Sequence, residues 1–172
     1  MRIDPRAEQP TREMLGHAIR GELPAMEAEI RAVGDETYAA SVTLCMIIAA
    51  YIAVDLAGRW PTEADVREMA RHAATTSRHY ELREQDVYDY LSIGALGFGS
   101  IAEALPDPQA DYTLPVLITA QMLVAFRLGD GHDLWGYLDT IWSATETAES
   151  ADMSILPALL IRQKRSKAVE KQ

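Results

Sequence analysis

The chain has 172 residues, of which 48% are hydrophobic and 24% charged, a composition typical of one globular domain rather than of a disordered protein. Its formal net charge of -10 disfavours nucleic acid as a partner of the main body, because an acidic surface repels phosphate groups. The single cysteine, Cys45, excludes an intramolecular disulfide and a cysteine-based zinc site. All lysines lie at or after Lys164, so the body offers none for a P-loop or a Schiff-base enzyme.

The first part of the chain predicts two helices that are separated by glycines. Apolar residues recur at helical spacing from Thr11 to about Arg20, and Gly21 ends this helix. Pro24 suits the first turn of a second helix. Gly34 then breaks the chain, and we expect Asp35 to cap the helix that follows.

A long apolar helix is predicted from about Glu36 to Ala57, and most of it carries no formal charge. Its hydropathy is borderline for a membrane span. Hydroxyl groups within the run, flanks without clustered positive charge, and the ion-pair spacing of Asp55 and Arg59 argue against a span. A helix that is apolar on every side can equally lie at the centre of a protein. We expect that arrangement, with Ile47 and Ile48 buried and no membrane span.

The clearest helix start lies at the sequence "PTEADV". Thr62 can cap the helix, and Asp65, three residues on, completes an acidic variant of the capping box. Asp65, Glu68 and His72 then share one polar helix face. This face could hold a metal ligand or an acid–base pair, but we favour a solvated face with local ion pairs.

Glycines interrupt the next helix, which is predicted to begin near Glu84. Gly94, Gly97 and Gly99 follow no strand, so they do not form a dinucleotide-binding loop. We expect these glycines to end the helix and to allow two backbones to approach closely. A short helical turn is predicted over residues 101–105.

A second apolar helix is predicted to open at Pro115. The run of residues 114–126 is too short to cross a bilayer. We therefore expect it to pack against the helix of residues 36–57. Two more helices are predicted, one from Asp133 to about Glu149 and one that begins near Pro157.

These elements predict an all-α fold, a single-domain multi-helix bundle of about seven or eight helices around an apolar central helix. No segment shows the sustained alternation of a strand. Residues 1–161 form the α-helical domain in this prediction. Residues 162–172 form a basic C-terminal tail that frays.

The loop "RLGDGHDLW", residues 127–135, is the candidate mouth of a ligand pocket. Arg127 and His132 could point into a cavity beside Trp135 and Trp142, and His132 could titrate near neutral pH. A simpler interpretation is that a glycine ends one helix here and an aspartate caps the next. Several aromatic residues could line such a cavity or belong to the core: Trp60, Trp135, Trp142, Tyr137, Phe98 and Phe126.

The tail is the other candidate surface. Its apolar residues 159–161 precede a cluster of cations: Arg162, Lys164, Arg165 and Lys167. This cluster could contact an acidic partner, a nucleic acid or a membrane surface. Cations also stabilise a helix C-terminus, which explains the cluster without a partner.

No motif assigns catalytic, cofactor-binding or metal-binding residues, and we expect no cofactor. We predict a non-enzymatic helical protein that acts through protein–protein contact, as a homodimer and with a further protein partner. The N-terminal residues lack the apolar core of a signal peptide, and arginine greatly outnumbers lysine, which together favour the bacterial cytoplasm. The alternative is a small-molecule-binding or enzymatic bundle with an aromatic-lined pocket near residues 127–142.

Overall fold

The computed structural model describes residues 5–97, 112–126 and 136–143. These ranges contain seven α-helices and no strand, which confirms the prediction of an all-α multi-helix bundle. The helices are α1 (Glu8–Arg20), α2 (Leu23–Val33), α3 (Asp35–Ala57), α4 (Glu63–Thr76), α5 (Glu84–Leu91), α6 (Leu114–Phe126) and α7 (residues 136–143). A 3-10 turn (Pro5–Ala7) precedes α1, and a π-helical turn (Ser92–Leu96) extends α5.

Most helix ends follow their local sequence signals. The capping box at α4 is confirmed, because the Asp65 N–H donates to Thr62 Oγ1 and the Thr62 N–H donates to Asp65 Oδ2. The expected cap at α3 is wrong. Gly34 occupies the position before α3, and Asp35 lies in the first turn, where its charge favours the helix N-terminus without a side-chain cap.

Parts of the predicted organisation lie outside the described residues. They include the turn at 101–105, the helix from Pro157 and the tail of residues 162–172. Of the helix predicted from Asp133 to Glu149, residues 136–143 are described, and they are helical.

The two apolar helices α3 and α6 pack against each other at the centre of the bundle. Ile47 and Ile48 of α3 are 8% and 0% exposed, which confirms that this helix is buried. In α6, Ile118 and Leu123 are fully buried. Each such side chain contributes about 1.5–3 kcal/mol when it leaves water. The surrounding helices cover this pair, so α3 and α6 need no polar face of their own.

A short chain of hydrogen bonds joins α3, α5 and α6 within the core. Thr119 Oγ1 donates to the backbone carbonyl oxygen of Cys45 at 3.1 Å. The Tyr90 hydroxyl lies 3.3 Å from Thr119 Oγ1 and donates to it, because the threonine proton is already used. Both side chains are almost fully buried. These two hydrogen bonds therefore fix how α3, α5 and α6 pack against one another.

We predict that Thr119→Val lowers the free energy of unfolding by about 1–3 kcal/mol, because it leaves the buried Tyr90 hydroxyl without an acceptor. Urea unfolding followed by circular dichroism measures the change. Adding Tyr90→Phe should recover part of the loss, since it removes the orphaned hydroxyl. Thr43→Val is the matched control, because Thr43 Oγ1 bonds only a carbonyl of its own helix, that of Ala39. An equal effect of Thr119→Val and Thr43→Val would contradict the prediction.

Length and composition alone leave a membrane role for α3 open. An 18-residue window of this helix has a mean hydropathy of 2.0, and 67% of the window is buried within the bundle. Two of its hydroxyl groups are satisfied within the helix, since Ser41 and Thr43 donate to the carbonyls of Thr37 and Ala39. These two hydroxyls therefore do not distinguish lipid from protein surroundings. The absence of a membrane span stays a prediction.

Gly94 allows the π-helical turn to approach α3 closely, as expected for the glycines of this region. A methyl group placed on Gly94 would lie 3.4 Å from the carbonyl oxygen of Met46 and 3.6 Å from Ala50 Cβ. Gly97 ends the turn with a φ of 72°. Gly99 lies outside the described residues.

Gly21 closes α1 with a φ of 73° and faces the ring of His79, in the loop between α4 and α5. A methyl group on Gly21 would lie 2.7 Å from His79 Cγ. The position therefore requires glycine for two reasons, the left-handed backbone and the contact with the ring.

We expect Gly21→Ala to destabilise the protein by about 1 kcal/mol more than Gly97→Ala does, since only Gly21 adds a clash to the left-handed strain. Gly97 is matched in φ and has no atom within 4 Å of the added methyl group. Thermal unfolding of both variants tests this difference. Combining Gly21→Ala with His79→Ala should restore most of the excess loss, and a double variant no better than Gly21→Ala would refute the explanation.

Candidate functional site

Two large apolar side chains are exposed in the described part of the chain, and they are neighbours. Leu56 in the last turn of α3 is 37% exposed, and Trp60 in the following link is 40% exposed. We call residues 56–67 the Trp60 corner; they comprise the end of α3, the link and the first turns of α4. Trp60 is thus not a core residue, one of the two places considered for it from sequence.

A network of hydrogen bonds holds the link in one conformation. Arg59 Nη1 and Nη2 donate to the two carboxylate oxygens of Asp65 at 2.6 and 3.1 Å. Arg59 Nη1 also donates to the carbonyl oxygen of Trp60 at 3.0 Å. The same Asp65 accepts hydrogen bonds from the backbone and the hydroxyl of Thr62, each at 2.7 Å. One carboxylate therefore fixes the helix start, the arginine and, through the arginine, the backbone that carries Trp60.

Electrostatics support this arrangement. The guanidinium of Arg59, and then the bonds from Thr62, hold the pKa of the Asp65 carboxyl well below its usual range. Sequence spacing suggested instead that Arg59 would pair with Asp55 on one helix. The two residues do not lie on one helix, because α3 ends at Ala57 and Arg59 follows it. The guanidinium of Arg59 binds Asp65 on α4.

The rim of the Trp60 corner carries a second ion pair. Arg67 Nη2 lies 2.9 Å from Glu63 Oε1, and the Arg67 guanidinium lies 4.3 Å from the ring centroid of Tyr88. The bond from Arg67 also lowers the pKa of Glu63. The corner thus has an apolar centre and two ion pairs beside it.

The polar face predicted on α4 does not form a joint site. The Glu68 carboxylate pairs with Arg71 at 2.5 Å, and the Asp65 carboxylate pairs with Arg59. The ring of His72 lies 5.1 Å from that of Phe126 on α6. Within the described ranges, no group of three His, Cys, Asp or Glu side chains is arranged to hold a metal ion.

A groove of about 290 Å³ runs along one face of α1. Its lining residues recur at helical spacing: Gln9, Arg12, Glu13, Gly16, His17 and Arg20. Its charged groups already have partners, several of them outside the groove. Glu22 Oε2 lies 2.7 Å from His17 Nδ1 and 2.8 Å from Arg20 Nη2, and these two bonds lower the pKa of Glu22 to about 2, with Arg20 as the larger cause.

Of the residues predicted to line a ligand pocket, Trp142 lies within the described part of the chain. It is buried, and its ring lies 5.2 Å from the guanidinium of Arg12, which also lines the α1 groove. Arg12 further pairs with Glu8 on α1 and with Asp139 on α7. The structure therefore connects Trp142 to the groove through a single arginine. Arg127, His132 and Trp135 lie outside the described residues, as do the four cations of the tail.

Glu13 of α1 and Glu29 of α2 are carboxylates of like charge on two helices that pack together. Burial and the charge of Glu13 raise the pKa of Glu29 above its ordinary value. Because the folded-state pKa is raised, Glu29 stabilises the fold fully below its unfolded pKa, and this contribution is lost as pH rises through the folded pKa.

We expect Glu29→Gln to raise stability at pH 7 by about 0.5 kcal/mol, the size of effect typical of exposed charge pairs, because the amide removes the repulsion from Glu13. The gain should shrink as pH falls through the ordinary range of a glutamate. Thermal unfolding between pH 4 and pH 8 measures both effects. Glu27→Gln is the control, since Glu27 lies 3.4 Å from Arg31. A gain from Glu29→Gln that is independent of pH would contradict this assignment.

Comparisons with known proteins add no further assignment, since no family model, no curated protein and no solved structure matches the chain.

Sequence reasoning missed the Trp60 corner. A signal was present, since Trp60 stands in a link of few residues between a helix stop and a helix cap, where a large apolar side chain has little core to enter.

Proposed function

We propose that the protein is a protein-interaction domain and that the Trp60 corner is its contact surface. The observation that carries this proposal is the exposure of Trp60 beside Leu56 on a link fixed by several hydrogen bonds. Tryptophan dominates the centres of protein interfaces, because its large ring buries much area and has few rotatable bonds.

Preorganisation supports the same function. A side chain that is displayed on a flexible loop loses conformational freedom on binding, at about 0.5–1.5 kcal/mol for each ordered side chain. At the Trp60 corner the backbone is already ordered by Arg59, Thr62 and Asp65. More of the contact energy of Trp60 therefore remains available for a partner. A non-enzymatic role in the bacterial cytoplasm remains the prediction made from sequence.

Small-molecule binding is the second candidate, and the α1 groove is the observation that favours it. Its volume of about 290 Å³ is at the lower end of the range for ligand pockets. A ligand there would compete with bonds that already exist, such as the one between His17 and Glu22. This competition favours protein contact at the Trp60 corner as the main function.

Photo-crosslinking in cells of the native host tests the proposed function. We expect the full chain with benzoylphenylalanine at position 60 to form covalent protein adducts on illumination. The matched control carries the same residue at position 32, an exposed alanine on α2. Because α2 adjoins the N-terminus of α3, this control lies about 35 Å from the corner along the 23 residues of α3. Finding no adduct specific to position 60 would overturn the proposal.

A further inference from the structure

We propose that the partner of the Trp60 corner is the same corner of a second copy, in a dimer with a two-fold axis. This inference rests on the proposed function and names its partner. In such a dimer one patch contacts itself, so the surface must be complementary to its own rotated image. The charge and the side-chain chemistry of the Trp60 corner bear on that requirement, and its exposed area bears on the strength of the contact.

Local charge balance permits self-contact at this surface. Two copies that each carry a formal charge of -10 repel each other as whole molecules. The four charged residues of the Trp60 corner sum to zero, since Arg59 and Arg67 balance Glu63 and Asp65. Residues 22–36, by contrast, contain five acids and one arginine, a net of -4. Repulsion between copies is therefore weak at the corner, where two neutral ion-paired rims would meet.

The corner also has the composition of a self-complementary patch. Leu56 and Trp60 supply an apolar centre, and two tryptophan rings can pack with centroids about 4.5–7 Å apart across a two-fold axis. Around this centre each copy presents cations and anions that are partly accessible. Arg59 and Glu63 are 55% and 56% exposed while each is paired within its own copy, so these charges remain accessible to a second copy at the rim.

The area sets the expected strength of the dimer. Leu56 and Trp60 are two side chains, 37% and 40% exposed, whereas a standard stable interface uses about 20–30 residues and roughly 800 Å² from each partner. We therefore expect a weak dimer, with a dissociation constant in the micromolar to millimolar range.

Sedimentation equilibrium of the purified full chain tests this inference. With rising concentration we expect the mass to move from 19.0 kDa towards twice that value. Leu56→Glu should weaken the dimer at least tenfold, since it places a like charge at the centre of the contact. Ala32→Glu adds the same charge to an exposed site on α2 and should change the dissociation constant less than twofold in physiological salt. Circular dichroism confirms that both variants fold.

Disulfide crosslinking locates the contact independently. Ala64 is exposed in the first turn of α4, so Ala64→Cys should form a covalent dimer under mild oxidation, whereas Ala32→Cys should not. Cys45 does not compete, because it is buried and burial raises its pKa to about 12.

The outcomes separate the two proposals. A chain that stays monomeric at millimolar concentration, or equal effects of the two glutamate substitutions, would overturn the dimer. If the purified chain is monomeric but position 60 forms adducts with another protein in cells, the interaction function stands and only the dimer fails. Absence of both the dimer and the adducts overturns both proposals.

Discussion

The structure depends on the need to cover two helices that have no polar face. α3 and α6 have no distinct polar face, and in this bundle neighbouring helices cover most of their side chains. The other helices have distinct polar and apolar faces and supply the cover. A hydrogen bond from Thr119 to the Cys45 carbonyl crosses this apolar interface and fixes its register, which area burial alone cannot do.

The Trp60 corner lies where the other helices no longer cover α3. Val54 is 1% exposed, whereas Leu56, two residues later, is 37% exposed. After Leu56 the chain reaches the start of α4 within a few residues. Asp65 fixes the conformation of this link through its hydrogen bonds with Thr62 and Arg59. A tryptophan held here has ordered backbone but little core to enter. Order together with exposure is what distinguishes this residue from the buried aromatic residues Tyr90 and Trp142.

The candidate sites were less predictable than the fold. The sequence suggested His132 and its neighbours as a candidate site, because histidine and glycine residues in a loop can be recognised from the sequence alone. The place of Trp60 in a short link favours exposure but does not decide it, because a tryptophan between two helices can turn inward or outward with the same neighbours in sequence. The α1 groove was missed for a similar reason. Its residues look like an ordinary polar face until Glu22 joins two of them, His17 and Arg20, into one cluster.

The sequence by itself determined the local elements. Thr62 and Asp65 at a spacing of three start a helix, and Gly21 ends one, because these effects need only the neighbouring backbone. The tertiary structure decided which groups meet. It placed Arg59 on Asp65 rather than on a helical neighbour, because α3 ends before Arg59. It left Trp60 40% exposed, beyond the buried part of α3 that ends near Val54. Pairing and exposure depend on where whole helices pack, and that information is not local to any segment.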